Sequence, residues 1–383
     1  MANLREAELH YPLADALPAL GDSIEVAPGV RWVRMQLPFE LDHINLWLLR
    51  DCMDGIEGWS VVDCGITNPA TIAAWEEVFA TQLGGLPVLR VLVTHMHPDH
   101  IGLAHWLTER WSTPARECRL WISTADYTSA RVASSSTSAF GGENAARHFM
   151  RHGLTDPGAI AKVRARSNYY AAMVPNIPDR YRRLMDGNRI LIGANEWHCH
   201  VGYGHAPEHM SLHCSDIDAA SKAPAAPPPR GGALGLEAAR RPSGVLISGD
   251  MVLPRISTNV MVIDLEPEAD PLKLYLDSIA RLRALPTDTL VLPSHGKPFT
   301  GLHQRIAQLR DHHVERYAEV MSACSERPQC AADIVPLLFK RKLDLHQLTF
   351  AMGEAIAHLH GLWHAGQLKR ELGTDGVFRF APV

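Results

Sequence analysis

The sequence contains no run of 18 apolar residues, so no segment is expected to cross a membrane as a helix. It contains no C-x-x-C pair. Its seven cysteines (Cys52, Cys64, Cys118, Cys199, Cys214, Cys324 and Cys330) leave one thiol over, which argues for reduced, mostly buried thiols rather than a disulfide framework. Cys199 lies among histidines, so a stray ligand role stands beside the reading as a buried thiol. No G-x-S-x-G elbow is present, no cysteine adjoins a catalytic-looking histidine, and there is no glycine-rich phosphate loop or dinucleotide fingerprint. A formal charge of −5 and an isoelectric point near 6.5 give no bulk attraction to nucleic acid or anionic lipid, leaving only a local basic patch open. Residues Met1 to Leu20 carry Arg5, Glu6, Glu8 and Asp15 and no signal-like apolar stretch, so a cytoplasmic protein is expected.

Histidine, by contrast, is abundant, with 21 copies in 383 residues. The chain is long enough for one large domain with an appendage, or for two medium domains. Its first half alternates short apolar strands with helical stretches: Trp32 to Leu37, Ile44 to Leu49 and Trp59 to Val62 read as strands, and Pro69 to Leu83 as a helix stopped by Gly84-Gly85. Val88 to Val93 is a buried strand, and Ile101 to Trp111 is helical. From about 125 to 190 the pattern is predominantly helical. Strands resume at Arg189 to Ile192, Trp197 to Val201, Met210 to Cys214, Val245 to Ile247 and Leu290 to Leu292. Residues 221–243, rich in Ala, Pro, Gly and Arg, are expected to form a mobile loop.

Directly after the buried strand stands His95-Met96-His97-Pro98-Asp99-His100. Neutral imidazole and carboxylate are ligand types that zinc accepts. On an extended segment His95 and His97 share a face, and a turn after Pro98 swings Asp99 and His100 toward a second position. Three distant segments repeat the device of a ligand-type residue where a strand meets a glycine-containing loop: Gly204-His205, Gly249-Asp250 and His295-Gly296.

Together these four motifs resemble the metallo-β-lactamase superfamily over about residues 25 to 300. The resemblance implies an α/β fold, the αββα sandwich, with two zinc ions; iron or manganese remains open because the same ligands accept several metals. It places His95, His97 and His205 on one ion and Asp99, His100 and His295 on the other, with Asp250 bridging both. Asp63, in Val61-Val62-Asp63-Cys64-Gly65, matches the strand-end aspartate that orients a ligand histidine, and also fits a simple turn residue. His209 is expected near the site without being a ligand. His105, His198, His200, His213, His312 and His313 match no ligand position. Redox relatives often carry glutamate where His97 stands, so His97 favours zinc and hydrolysis.

Two metals can share a hydroxide at neutral pH and polarise the centre it attacks, with Asp99 and Asp250 as the catalytic carboxylates. The segment 125–190 is expected to wall the pocket, with Tyr169, Tyr170, Met173 and Tyr181 lining it and Arg180, Arg182 and Arg183 meeting an anionic group; each also reads as core or surface. If His205 opens a strand antiparallel to the one that Asp250 closes, the 221–243 insert lies at the far sheet edge, away from catalysis.

The first domain is expected over 1–301 and a second over 302–383, with helices near 303–323, 330–341 and 347–366 and a hairpin around Gly373-Thr374-Asp375-Gly376. This tail resembles the mostly α, winged-helix-like appendage of one branch, related to glyoxalase II-like hydrolases and including an endoribonuclease-like member. Its cations Arg341, Lys342, Lys369 and Arg370 are set against Asp344, Glu354, Glu371 and Asp375, which disfavours nucleic acid and favours a structural, rim-shaping or homodimer-forming role. Three functions follow: hydrolysis of a thioester or lactone in a small molecule, RNA cleavage, or metal-stabilised binding without catalysis. Open coordination positions rank the last one lowest.

Overall fold

The computed structural model describes residues 5–135, 141–217 and 242–383. The insert expected at 221–243 lies outside them apart from its last two residues. The first sheet orders β1 (Ile24–Ala27), β2 (Val30–Gln36), β3 (His43–Met53), β4 (Ile56–Val62), β5 (Val88–Leu92), β6 (Arg119–Ser123) and β7 (Tyr181–Leu184) side by side. It is antiparallel from β1 to β4 and parallel from β4 to β7. The second sheet runs β12 (Leu290–Pro293), β11 (Val245–Gly249), β10 (His209–Cys214), β9 (Asn195–Gly202) and β8 (Arg189–Ile192), parallel only between β11 and β12.

The two-residue period of β3 shows why these strands stack into layers. Ile44, Leu46 and Leu48 point outward under helices, whereas Trp47 and Leu49 point inward. Inward, Trp32, Trp47, Val62 and Leu92 of the first sheet meet Trp197, Met210, Leu212 and Ile247 of the second. Strand β5 is buried along its whole length, as a parallel strand covered on both faces should be.

Helices α1 (Pro69–Thr81), α2 (Pro98–Ile101), α3 (Ala104–Trp111), α4 (Thr124–Ser135), α5 (Gly142–Arg151), α6 (Pro157–Ala165), α7 (Tyr169–Met173), α8 (Pro271–Arg281), α9 (Leu302–Glu326), α10 (Ala331–Leu338) and α11 (Leu345–His364) supply the outer layers. Trp75 and Val78 of α1, Leu107 of α3, Ala130 of α4 and Tyr170 of α7 cover the first sheet. Tyr275 of α8, Ile306 of α9 and Ile356 of α11 cover the second, and Phe149 of α5 and Val163 of α6 join the same core. The result is the αββα sandwich. Three of these helices start alike, on Asn68-Pro69, Asp156-Pro157 and Asp270-Pro271. In each, the side-chain oxygen accepts an otherwise orphaned backbone N–H, and proline occupies the first turn, where its missing N–H costs nothing.

The tail closes with β13 (Leu368–Leu372) and β14 (Phe378–Pro382), a hairpin after three helices as expected. No helix among the described residues is long and apolar enough to cross a membrane. One expectation is corrected. The segment 125–190 is not helical to its end, because Tyr181–Leu184 forms β7 at the margin of the first sheet. Only Leu184 of that strand is buried, so the alternation that would announce it is missing.

Burial has a pH consequence here. His148, His358 and His360 are pushed down to about 4 by burial, and His152 to about 2. Their folded values lie below the unfolded value near 6.5, so below that pH the unfolded chain takes up protons that the folded chain refuses. Their stability contribution is therefore present above pH ~6.5 and is lost as pH falls toward ~4. Stability should drop across that window, and His152→Phe should flatten the dependence by up to about 1.4 kcal/mol per pH unit, the contribution of one proton. An unchanged slope in that variant would refute the assignment.

Candidate metal centre

The carboxyl ends of β4, β5, β11 and β12 all open at one end of the sandwich, the usual place for a site in parallel sheets. Asp63 follows β4, the segment from Thr94 to His100 follows β5, Asp250 follows β11 and His295 follows β12. His205 lies in the loop from β9 to β10, and His209 rather than His205 opens β10, which runs antiparallel to β11. Cys214 pairs with Val245, so the chain leaves β10 for the insert at the opposite end from Asp250, as the strand-direction argument expects.

Two groups of ligand-type residues converge: His95, His97, His205 and Asp250, and beside them Asp99, His100 and His295, each with its candidate atoms within 4.8 Å of one another. In the first group, Nε2 of His95 lies 2.9 Å from Nδ1 of His97 and 3.2 Å from Nε2 of His205. Asp250 Oδ2 is 3.3 Å from Nε2 of His205 and 3.6 Å from Nε2 of His100, and its Oδ1 is 3.5 Å from Nε2 of His295. Asp99 Oδ2 is 3.5 Å from Nε2 of His295 and 3.6 Å from Nε2 of His100.

The carboxylate–imidazole spacings, 3.3 to 3.6 Å, are long for hydrogen bonds but match the edge of a coordination tetrahedron, about 3.4 Å for ligand bonds near 2.1 Å. His100 Nε2 and Asp250 Oδ1 are buried without a hydrogen-bond partner, a costly arrangement unless something else satisfies them. The donor set therefore fits a pair of divalent ions, with Asp250 facing both positions.

The outer nitrogens of four histidines are each tied down, which fixes the ring orientation and turns Nε2 inward. Nδ1 of His205 donates to the Asn259 carbonyl at 2.7 Å, and Nδ1 of His295 to the His43 carbonyl at 2.7 Å. Nδ1 of His100 donates to Asp63 Oδ2 at 2.8 Å. The Thr94 hydroxyl donates to Asp63 and accepts from Nδ1 of His95 at 3.0 Å. His209 stands aside from both groups: its Nε2 accepts the backbone N–H of Asp250 at 3.1 Å. Gly249 allows that approach, since a Cβ there would lie 2.2 Å from His209 Nε2.

The electrostatics favour a cation. Burial opposes charge on His100, yet Asp99, Asp63 and Asp250 outweigh it and hold its imidazole well above the ordinary value. His295, also buried, is raised to about 10 by Asp250 and Asp99. The field that stabilises these protons would stabilise a divalent ion in their place. Burial, followed by the neighbouring histidines, pushes His95 well below its ordinary value, and His97 falls to about 3, so both present neutral rings. A divalent metal ion should raise the melting temperature in proportion to the logarithm of its concentration and a chelator should reverse the rise; a melting temperature indifferent to both would count against a metal site here.

Of the residues expected to line a pocket, two reach this centre. The Tyr170 hydroxyl donates to the Met96 carbonyl, between two ligand positions. Tyr169 bonds Nδ1 of His346 on α11 at 2.9 Å, and its hydroxyl is raised by burial and by nearby Asp99. Met173 packs into the core over the first sheet. Arg180 is 80% exposed beside Glu117, Tyr181 stacks on Tyr127, and Arg182 lies over Trp121, so the structure does not bring these to the metal residues. Arg183 sits on β7 and is exposed. Cys199 is buried between the sheets, outside both ligand groups.

Sequence reasoning missed Asp126, whose carboxylate accepts the N–H of Met96 at 2.8 Å and of Glu208 at 2.7 Å, joining two ligand loops. Its signal was available: Ser123-x-x-Asp126 begins a helix at the end of the strand next to β5. Asn45 was missed as well. Its side chain donates to the carbonyls of Pro293 and Gly296 and so frames His295.

Comparison with known proteins agrees with this geometry. Residues 40–218 match the family described as metallo-beta-lactamase superfamily, and residues 317–383 match metallo-beta-lactamase-like, C-terminal domain. A beta-lactamase domain protein from Burkholderia ambifaria is 54% identical over 100% of both chains, with a TM-score of 0.87. A metallo-beta-lactamase family protein from Thermus thermophilus shares the fold at 22% identity and a TM-score of 0.67, over 94% of this chain and 100% of its own. The probable metallo-hydrolase YqjP of Bacillus subtilis is 23% identical over 337 residues, 85% of this chain and 90% of its own length.

Proposed function

Because the chain belongs to the metallo-β-lactamase superfamily and is a metal-dependent hydrolase, we propose that it uses two zinc ions to cleave a thioester or lactone in a small molecule. The observation that carries the reading is Asp250, whose carboxylate lies between the two groups, 3.3 Å from His205 of one and 3.5 and 3.6 Å from His295 and His100 of the other. When bound, two such ions supply an activated water at neutral pH and polarise the electrophile. Asp99, pulled down to about 2 by His100 and His295 against the effect of burial, is ionised and placed to accept a proton from the attacking water. His95, His97, His100, His205 and His295 hold the geometry through rings that are already fixed.

RNA cleavage is less well supported, because three of the four basic residues singled out in the tail are paired: Arg341 with Glu40, Lys369 with Glu371 and Arg370 with Glu268. Metal content by plasma mass spectrometry, with thioester, lactone and single-stranded RNA substrates alongside, tests the reading. About two zinc ions per chain with ester-like turnover is expected. Cleavage of RNA alone, with a steep salt dependence, would replace it with the nuclease reading.

A further inference from the structure

Between Asp250 and Asp264 the chain has no regular secondary structure, yet Met251, Val252, Leu253, Thr258, Val260 and Val262 are buried. Buried irregular backbone must find partners for its polar groups, and the tail helices supply them. On α9, Arg305 donates from Nε to the Leu253 carbonyl at 2.6 Å and from Nη2 to the Ile256 carbonyl at 2.9 Å. On α11, the Gly353 carbonyl accepts the Val262 N–H at 3.2 Å, and Glu354 Oε2 accepts Nδ2 of Asn259 at 3.4 Å. The same segment touches the metal centre twice. The Thr258 hydroxyl donates to the Asp250 carbonyl, and the Asn259 carbonyl receives Nδ1 of His205.

We infer that α11 is a positioning element of the metal centre, in which Gly353 and Glu354 hold the strap from Asn259 to Val262 so that the Asn259 carbonyl fixes the ring of His205. This rests on the two-metal reading above. Hydrogen bonds at both ends of a four-residue strap leave it little freedom to rotate the Asn259 peptide. The fit against the helix is close, since a Cβ on Gly353 would stand 2.8 Å from Cβ of Met261. An alanine there can be accommodated only if the strap moves away, and the His205 ring moves with it. Glu354 acts as a hydrogen-bond acceptor toward Asn259, a role that the carbonyl of glutamine can fill. The tail thus contributes to metal affinity without contributing a ligand.

The test uses the full chain as wild type, Glu354→Ala, Glu354→Gln and Gly353→Ala. Zinc affinity is read by competition with a chromophoric chelator, and the cobalt-substituted absorption spectrum reports the geometry around His205. Both alanine variants should weaken one of the two zinc ions by about 10- to 100-fold, as loss of a ligand's outer hydrogen-bond partner does. Glu354→Gln should restore affinity and spectrum. Gly353→Ala is the second arm: alanine favours the helix by about 1 kcal/mol, which offsets part of the cost of displacing the strap, so the loss of affinity should exceed any loss of metal-free stability. Wild-type affinity and spectrum in both alanine variants would overturn the inference, as would a glutamine variant no better than alanine. A wild-type chain that takes up no ion would instead overturn the two-metal reading, and this inference with it.

Discussion

Replacing Asp250 by alanine is expected to lower kcat/KM on whichever ester-like substrate the wild type turns over by about three orders of magnitude, equivalent to about 4 kcal/mol of transition-state stabilisation. The same variant should lose metal from both positions, not one. Asp250 is the only residue of the seven whose oxygens lie near histidines of both groups, 3.3 Å from His205 on one side and 3.5 Å from His295 on the other. Its carboxylate is held well below the usual range, because His295 and His100 outweigh the effect of burial. Without it, five imidazoles surround two cations with Asp99 as the sole negative ligand, and the Coulomb term that offsets their dehydration is halved. His97→Ala, by contrast, should deplete the first position while sparing the second. Plasma mass spectrometry on both variants distinguishes the two patterns. If Asp250→Ala kept one full equivalent of zinc, Asp250 would be an ordinary ligand of one ion rather than a bridge.

What the sequence could and could not reveal follows from how each residue acts. Ligands were legible because a site of this kind needs His and Asp next to glycine at strand ends, and that chemistry leaves a mark in the chain itself. His95 to His100 announced the first turn, and His205, Asp250 and His295 repeated the device at a distance. The layered fold was legible for the same reason, since β3 and β5 carry the periodicity of a strand facing two packed layers. Asn45 and Asn259 were not, because Asn45 works through backbone carbonyls of another loop and Asn259 through its own carbonyl, and neither role shows in the residue type; Asp126 left only the Ser123-x-x-Asp126 helix start, which does not point to the ligand loops it joins. Strand β7 lacked a buried face to give it a period. The pocket residues divided for a geometric reason: Tyr169 and Tyr170 lie on α7, against the ligand loop and α11, whereas Arg180 and Tyr181 lie beyond the turn that feeds the sheet margin. Composition alone carries no trace of that turn.

The second large effect is expected at Asp63, where two substitutions separate folding from metal binding. Asp63 is 1% exposed and adopts a left-handed backbone with φ of 61°, a region that Asp and Asn enter more readily than other side-chain-bearing residues. Its Oδ1 accepts the Thr94 N–H at 2.8 Å, and its Oδ2 receives the Thr94 hydroxyl at 2.9 Å and Nδ1 of His100 at 2.8 Å. Alanine would strand a buried N–H and strain the backbone, costing about 3 kcal/mol in all. It should lower the urea midpoint and weaken the ion at His100 by about 10- to 100-fold. Asparagine keeps the left-handed preference and an acceptor for Thr94, so the metal-free chain should fold more stably than the alanine variant. Its amide, however, turns a donor toward Nδ1–H of His100. Relieving that clash moves the imidazole proton to Nε2, the atom that must stay bare to hold the ion. Asp63→Asn is therefore expected to be more stable than the alanine variant without metal yet to bind one zinc ion as poorly, and wild-type affinity in that variant would reduce Asp63 to a structural turn residue.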